Sequence, residues 1–308
     1  MPITEVEKIW MDGELVDWQK AQVHVLSHAL HYGSGVFEGI RAYETSRGAA
    51  VWHLDEHLRR LYRSAKLYHL EIPFSREALT EAAKDVIRAN ALRSCYVRPL
   101  VFRGYGEMGV NPLEAPVNVV IAVWPWGAYL GEDALERGVR VKVSSWRRNP
   151  QNSLPAAAKA TGQYINSVLA KVESLKAGYD EAVMLNDHGY ITDGSGENIF
   201  VVRKGILFTP PTQAGSLDGV TRETVITLAR ELGYEVREEN LVRTDLYNAD
   251  ECFFTGTAAE LTPIREVDDR EVGEGHRGPI TKELQSAFFA ATKGEDPKHT
   301  DWLTYVGD

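Results

Sequence analysis

The chain has 308 residues, 44% apolar and 25% charged, the balance of a soluble globular protein long enough for two domains, each with its own core. A formal charge of −10 argues against nucleic acid or an anionic membrane surface as the main partner, while leaving room for a local basic pocket that takes a phosphate or carboxylate. Two cysteines, Cys95 and Cys252, make neither a disulfide framework nor a zinc knuckle.

The opening MPITEVEKIWMDGE has no apolar leader segment, and no run of about 18 apolar residues occurs, so the expectation is a cytoplasmic protein. KIWMDGELV predicts a hairpin turning at Asp12-Gly13. Leu79, Ala82, Ala83, Val86, Ile87 and Asn90 follow helical spacing with a mostly apolar face. Val117 to Trp124, VNVVIAVW, is rich in β-branched residues and predicts a buried strand. PWGAYLGEDALERG then breaks the periodicity with Gly and Pro. It divides the chain into a small N-terminal domain (1–124), an interdomain loop (125–134) and a larger C-terminal domain (135–308).

Beyond the loop, Val139, Val141 and Val143 alternate with polar residues. EAVMLNDHGYIT predicts two strands joined around Asn186 to Gly189, and NIFVVRKGILFT a hairpin turning at Lys204-Gly205. A helix from about Thr221 to Leu232 should stop at Gly233. A strand through Cys252, Phe253 and Phe254 leads into TGTAAELTP. Hairpin-joined strands with helices set apart indicate an α+β fold rather than a doubly wound parallel sheet.

Several patterns that suggest chemistry are weak. Gly33, Gly35 and Gly39 in YGSGVFEG miss the dinucleotide spacing, because the third glycine comes one place late. His24, His28 and His31 share a helical face but lack an HExxH pattern, so loop and core histidines are the simpler reading and no metal is expected. Ser195 is not in a GxSxG elbow, since position 193 is Asp.

Lys159 is different. It is the only charge in SLPAAAKATGQYIN, and a lysine shielded by small residues is a candidate Schiff-base nucleophile. Taken alone, the segment fits an ordinary helix lysine whose head reaches water. In SLDGVTRE, however, Gly219 precedes a helix whose first N–H groups, at Val220 and Thr221, can cradle a phosphate. The turn at Gly256-Thr257 offers a second set of N–H groups and a hydroxyl. Asp193 closes a strand before a Gly-rich turn, where a carboxylate could hold the proton on a pyridine nitrogen. Each has a plain alternative: a capped helix start, a tight turn, an Asp-Gly corner. A nucleophilic lysine together with a phosphate cradle suggests pyridoxal 5′-phosphate.

With these residues in place, HALHYGSGVFEGIRAY, EHLRRL, YVRPLVF, WPWGAYLG, AAAKATGQY, DGSGENIF, LDGVTRE and TGTAAELTP together resemble the bacterial branched-chain amino-acid aminotransferases. These are fold type IV pyridoxal-phosphate enzymes with two domains. The resemblance runs from about Ile9 to about Phe289. It implies ping-pong transamination of L-leucine, L-isoleucine and L-valine with 2-oxoglutarate or glutamate, and a homodimer or a hexamer built from dimers. The alternatives on the same fold are D-amino-acid aminotransferases, (R)-amine aminotransferases and aminodeoxychorismate lyases; VFEGIRAY and YVRPLVF favour the branched-chain group.

Residue by residue, the resemblance makes Lys159 the Schiff-base lysine and proton shuttle. Arg60 would bind the phosphate, with Val220, Thr221 and Thr257. Leu217 would pack on the pyridine ring, and Tyr164 would bond the phenolic oxygen. The substrate α-carboxylate would lie on Thr257-Ala258 with Tyr96, and branched side chains against Tyr32, Phe37, Trp126 and Tyr129. Arg98 with Tyr32 would take the side-chain carboxylate of glutamate. One departure is evident: the family usually has Glu where this chain has Asp193, one methylene shorter. Asp193 is expected to keep the role, with Glu197 as the second candidate.

Overall fold

The computed structural model describes residues 3–127 and 133–307. Its chain forms two compact units: Met1–Trp126 with Ala158–Gln163 and Ala291–Asp308, and Gly127–Ala157 with Tyr164–Ala290. The short segment around Lys159 therefore belongs to the first unit. Helices and sheets are mixed in an α+β fold.

In the first unit, β1 (Lys8–Met11) and β2 (Glu14–Asp17) form the hairpin expected at Asp12-Gly13. Both turn residues have positive φ, 49° and 104°, which a two-residue hairpin turn requires and which Asp and Gly tolerate. The remaining strands are β3 (Gly35–Phe37), β4 (Ile40–Thr45), β5 (Gly48–Trp52), β6 (Cys95–Arg103) and β7 (Val117–Trp124). They form one antiparallel sheet in the order β5-β4-β6-β7-β1-β2, with β3 on β6. The late strand Leu303–Tyr305 pairs with Ala50–Trp52 of β5.

Three helices belong to this unit: α1 (His28–Tyr32), α2 (Leu54–Leu67) and α3 (Arg76–Ala89). Helix α3 starts at Ser75, whose hydroxyl accepts from the Ala78 N–H, and buries Leu79, Ala82, Ala83, Val86 and Ile87. Those side chains meet Leu58 and Leu61 of α2 and Val97, Ile121 and Val123 of the sheet in one core. The inner face of α2 also carries three polar residues, His57, Arg60 and Ser64, all buried. At spacings of three and four they lie along one side of the helix.

The second unit contains α4 (Ala134–Arg137), α5 (Tyr164–Lys176), α6 (Val220–Glu231), α7 (Arg243–Tyr247) and, through Ala290, α8 (Pro279–Thr292). Its strands are β8 (Val139–Arg147), β9 (Glu181–Leu185), β10 (Ile191–Gly194), β11 (Asn198–Arg203), β12 (Ile206–Thr209), β13 (Val236–Glu238), β14 (Glu251–Gly256), β15 (Glu260–Val267) and β16 (Arg270–Glu271). The order is β10-β9-β8-β15-β14-β11-β12-β13, with β16 on β15. The hairpins β9–β10, β11–β12 and β14–β15 are antiparallel as the turns predict. The pairings β8–β9, β8–β15 and β12–β13 are parallel, because α5, α6 or a long connection returns the chain to the same edge. Helix α6 ends at Gly233, which has φ 89°.

Candidate active site

In the first unit, Lys159 lies outside any helix or strand, next to Ala160, which bridges Val36. This removes the reading of Lys159 as a helix lysine. Its backbone is held from both sides. The Lys159 N–H donates to Ser64 Oγ on α2 at 3.0 Å, and its C=O accepts from the Phe37 N–H on β3 at 3.0 Å. The ammonium lies 4.9 Å from the centre of the Phe37 ring. Half-buried, it sits beside an aromatic face that favours a cation.

Helix α2 brings Arg60 to the same unit. Arg60 Nε and Nη2 donate to the two oxygens of Glu38 at 2.7 Å each, and His57 Nδ1 lies 2.8 Å from Glu38 Oε2. All three side chains are buried. Burial opposes the charge on Glu38, but the Arg60 guanidinium and the hydrogen bonds from Arg60 and His57 outweigh it. The carboxyl is held well below its ordinary range. His57 is pushed down, chiefly by burial, which outweighs the carboxylate beside it. Arg59, the neighbouring arginine, is exposed and pairs with Asp55, so Arg60 is the inward-facing one of the two.

A third group in this unit is aromatic. The rings of Tyr96, Trp124 and Trp126 lie with centroids 4.9–5.9 Å apart. Arg98 lies over Phe37 and Tyr96, at 4.9 and 5.1 Å, and donates to the Tyr96 hydroxyl at 3.1 Å. Its Nε is buried without a hydrogen-bond partner among the described residues, so it suits an incoming acceptor such as a carboxylate. Tyr32, at the end of α1, is exposed and packs on His28 at 4.5 Å. Tyr129 lies outside the described residues.

In the second unit, Gly219 caps α6. A Cβ there would lie 1.9 Å from Asn198 Oδ1, so only glycine fits. Asn198 in turn donates to the Leu217 C=O at 2.9 Å, anchoring the turn that presents Val220 and Thr221. Gly256 and Glu260 pair across β14 and β15, with Thr257 and Ala258 in the connecting turn, both half-buried. Thr255 Oγ1 and Ser216 Oγ are buried without hydrogen-bond partners among the described residues. Glycine-limited backbone, helix N–H groups and orphaned hydroxyls fit a phosphate-bearing cofactor. Tyr164 opens α5, half-buried.

Asp193, on β10, accepts from Arg148 Nε and Nη2 at 3.0 and 2.7 Å and from Thr192 Oγ1 at 2.6 Å, every bond to Oδ1. Arg148 is itself fixed by Ser167 Oγ and the Gly194 C=O. Burial pushes the Asp193 carboxyl up, although Arg148 and Thr192 pull the other way. Glu197 takes the Gly196 N–H at 3.0 Å, and burial together with the nearby Glu181 charge pushes it up to about 8. Lys171 pairs with Glu181 at 2.6 Å.

The decoys have structural roles. His28 uses both ring nitrogens, on Ser34 Oγ and the Gly109 C=O, while His24 and His31 are exposed. Cys95 and Cys252 are buried, and burial pushes the Cys95 thiol up to about 12. The sequence reading missed Glu38, His57, Ser64, Trp124, Thr192 and Arg148. His57 was accessible in principle, three residues before Arg60 in EHLRRL; Arg148 is 45 residues from its partner and carries no local signal.

The amino-transferase class IV family model matches residues 35–267. The chain belongs to the class IV amino-transferases. It is 49% identical to the branched-chain-amino-acid aminotransferase of Pseudomonas aeruginosa over 298 residues, 97% of each chain. The crystal structure of the branched-chain amino acid aminotransferase of Escherichia coli superposes with a TM-score of 0.96 at 51% identity, covering 98% of this chain and 100% of that one. The crystal structure of the branched-chain amino acid aminotransferase from Thermobaculum terrenum, in its PLP-form, gives a TM-score of 0.93 at 36% identity, covering 98% and 99%.

Proposed function

We propose that the chain is a branched-chain-amino-acid transaminase that uses pyridoxal 5′-phosphate to exchange amino groups between L-leucine, L-isoleucine or L-valine and 2-oxoglutarate. The observation that carries this reading is Lys159 itself: half-buried, pinned at its N–H by Ser64 and at its C=O by Phe37, with Arg60 on the helix that supplies Ser64. The similarity to the Pseudomonas aeruginosa and Escherichia coli enzymes supports the substrate class, and the similarity to the PLP-form of the Thermobaculum terrenum enzyme supports the cofactor.

In this reading Arg60, Gly219, Val220, Thr221, Gly256 and Thr257 hold the phosphate. Leu217 covers the ring, Tyr164 bonds its phenolic oxygen, and Asp193 serves its nitrogen. When bound, the cofactor supplies an aldehyde and an electron-withdrawing ring that stabilises negative charge at the substrate Cα. Lys159 Nζ would take the proton from the substrate Cα and give it up at the cofactor carbon that had carried the aldehyde, general acid–base work typically worth about 10²–10⁴ in rate. Asp193 Oδ1 is committed to Arg148 and Thr192, so the contact to the ring is assigned to Oδ2. Tyr96 and Thr257-Ala258 take the α-carboxylate. Tyr32, Phe37, Trp126 and Tyr129 take a branched apolar side chain, and Arg98 with Tyr32 the distal carboxylate of glutamate. A largely aromatic pocket with one arginine stacked on its rings admits both substrates without stranding a bare buried charge.

Self-association as a dimer or a hexamer of dimers is supported by an exposed apolar stripe on α5: Ile165, Val168, Leu169, Val172 and Leu175. No helix of the described residues is long and apolar enough to cross a membrane.

The test is a panel of both enantiomers of each amine with 2-oxoglutarate, run on wild type and Lys159→Ala. The expected result is turnover of L-Leu, L-Ile and L-Val, a visible cofactor band that shifts with L-leucine, and no turnover in Lys159→Ala. Turnover restricted to D-amino acids or (R)-amines would assign the chain to another enzyme of the same fold.

A further inference from the structure

Three consecutive residues of the first unit each address a different group of the proposed site. The Phe37 N–H holds the Lys159 C=O. Gly39 lies so close to Tyr96 that a Cβ there would sit 1.9 Å from its hydroxyl. Between them Glu38, its own N–H fixed by the Pro99 C=O at 2.9 Å, turns a fully buried carboxylate onto Arg60.

A buried carboxylate next to a phosphate-binding arginine carries an electrostatic cost, because it repels the phosphate that the arginine attracts. The geometry shows what offsets that cost. Glu38 Oε1 takes Arg60 Nε and Oε2 takes Nη2, so one edge of the planar guanidinium is fixed and the direction of the opposite edge follows. His57, one turn earlier on α2, lies on the same Oε2 at 2.8 Å and stops the carboxylate from rotating. Burial keeps His57 in the neutral form, so the ring adds an N–H donor rather than a second positive charge. The pair also keeps the Arg60 charge compensated within the protein itself.

We propose that Glu38 and His57 are positioning residues for Arg60, so that affinity for a phosphorylated cofactor depends on a carboxylate and an imidazole that act through the guanidinium. This rests on the phosphate role given to Arg60 above.

The experiment titrates the full chain, stripped of cofactor, with pyridoxal 5′-phosphate and separately with pyridoxal, which lacks the phosphate, and reads binding by absorbance. Glu38→Gln should weaken pyridoxal phosphate by about tenfold or more, as expected for losing charge-assisted hydrogen bonds, while pyridoxal moves by less than about twofold. Glu38→Asp and His57→Phe should lose less, and His57→Asn, which keeps a donor near the Nδ1 position, should recover toward wild type. Should Glu38→Gln fail to fold, Glu38→Asp and His57→Phe carry the same comparison. Unchanged pyridoxal phosphate affinity, or equal loss of both ligands, overturns the proposal. Arg60→Gln is the separate control: if it leaves the ratio of the two affinities unchanged, the phosphate role of Arg60 falls, whatever Glu38 does.

Discussion

Glu38 in the first unit and Glu197 in the second are both buried carboxylates, yet one is held ionised while the other keeps its proton up to about pH 8. Burial works against the charge in both. Glu38 meets a bidentate guanidinium and an imidazole, which outweigh it. Glu197 meets the backbone N–H of Gly196 and the negative field of Glu181, whose own cation, Lys171, is already paired. Asp193 is raised like Glu197: Arg148 and Thr192 crowd onto one oxygen, and burial still raises the carboxyl. A buried acid takes its protonation state from the geometry of its partners more than from its depth.

The comparison can be broken most severely at Glu38. Glu38→Ala strands the Arg60 guanidinium and should cost about 3–5 kcal/mol in chemical denaturation, the usual penalty for removing one partner of a buried pair. Glu197→Gln swaps a neutral acid for its isostere and removes the cost of taking up its proton, so at pH 7 it should leave stability unchanged or raise it. Equal costs would mean that the two acids are in the same state.

Next in size is the half-reaction with glutamate. Asp193→Asn should slow it by about two orders of magnitude, the scale of losing a preorganised charge at a reacting group. Glu197→Gln should leave it nearly normal. A crippled Glu197→Gln beside a normal Asp193→Asn would move the ring-nitrogen role to Glu197.

The pH profile of stability sharpens the contrast further. Glu197 is raised from its ordinary 4.5 to about 8, so the folded chain binds more protons than the unfolded chain between those values. Its contribution to stability is therefore complete below about pH 4.5 and lost as pH climbs through 8. Melting temperatures from pH 5 to 9 should fall less steeply in Glu197→Gln than in wild type; parallel profiles would contradict the assignment. Ser64→Ala tests the lysine's own support. It removes one hydrogen bond to the Lys159 backbone and should cost about 1 kcal/mol, seen as a modest drop in kcat with little change in KM.

Local chemistry made much of the fold legible. Asp12-Gly13 and Lys204-Gly205 both take positive φ at hairpin turns, and Gly233 ends α6, because glycine, present in each, fits a conformation that most residues resist. The parallel partners of β8 and the pairing of Leu303–Tyr305 with β5 were not legible, since side-chain alternation does not encode which distant strand is the neighbour. The site divides in the same way. Lys159 and the turns at Gly219 and Gly256 carry local signatures of small residues and glycine. Glu38 with Arg60, 22 residues apart, and Arg148 with Asp193, 45 apart, are set by tertiary packing. The alanines around Lys159 suit a helix or an extended strand, so its true backbone setting emerged only from the pairing with Val36.

The central claim is that Lys159 performs transamination on a branched-chain amino acid. The most direct test mixes cofactor-loaded enzyme with L-leucine in the absence of any 2-oxo acid and follows one turnover. The visible cofactor band should disappear while one equivalent of the leucine-derived 2-oxo acid is released per site, and neither should occur in Lys159→Ala. A wild-type band that persists with no 2-oxo acid formed would contradict the claim.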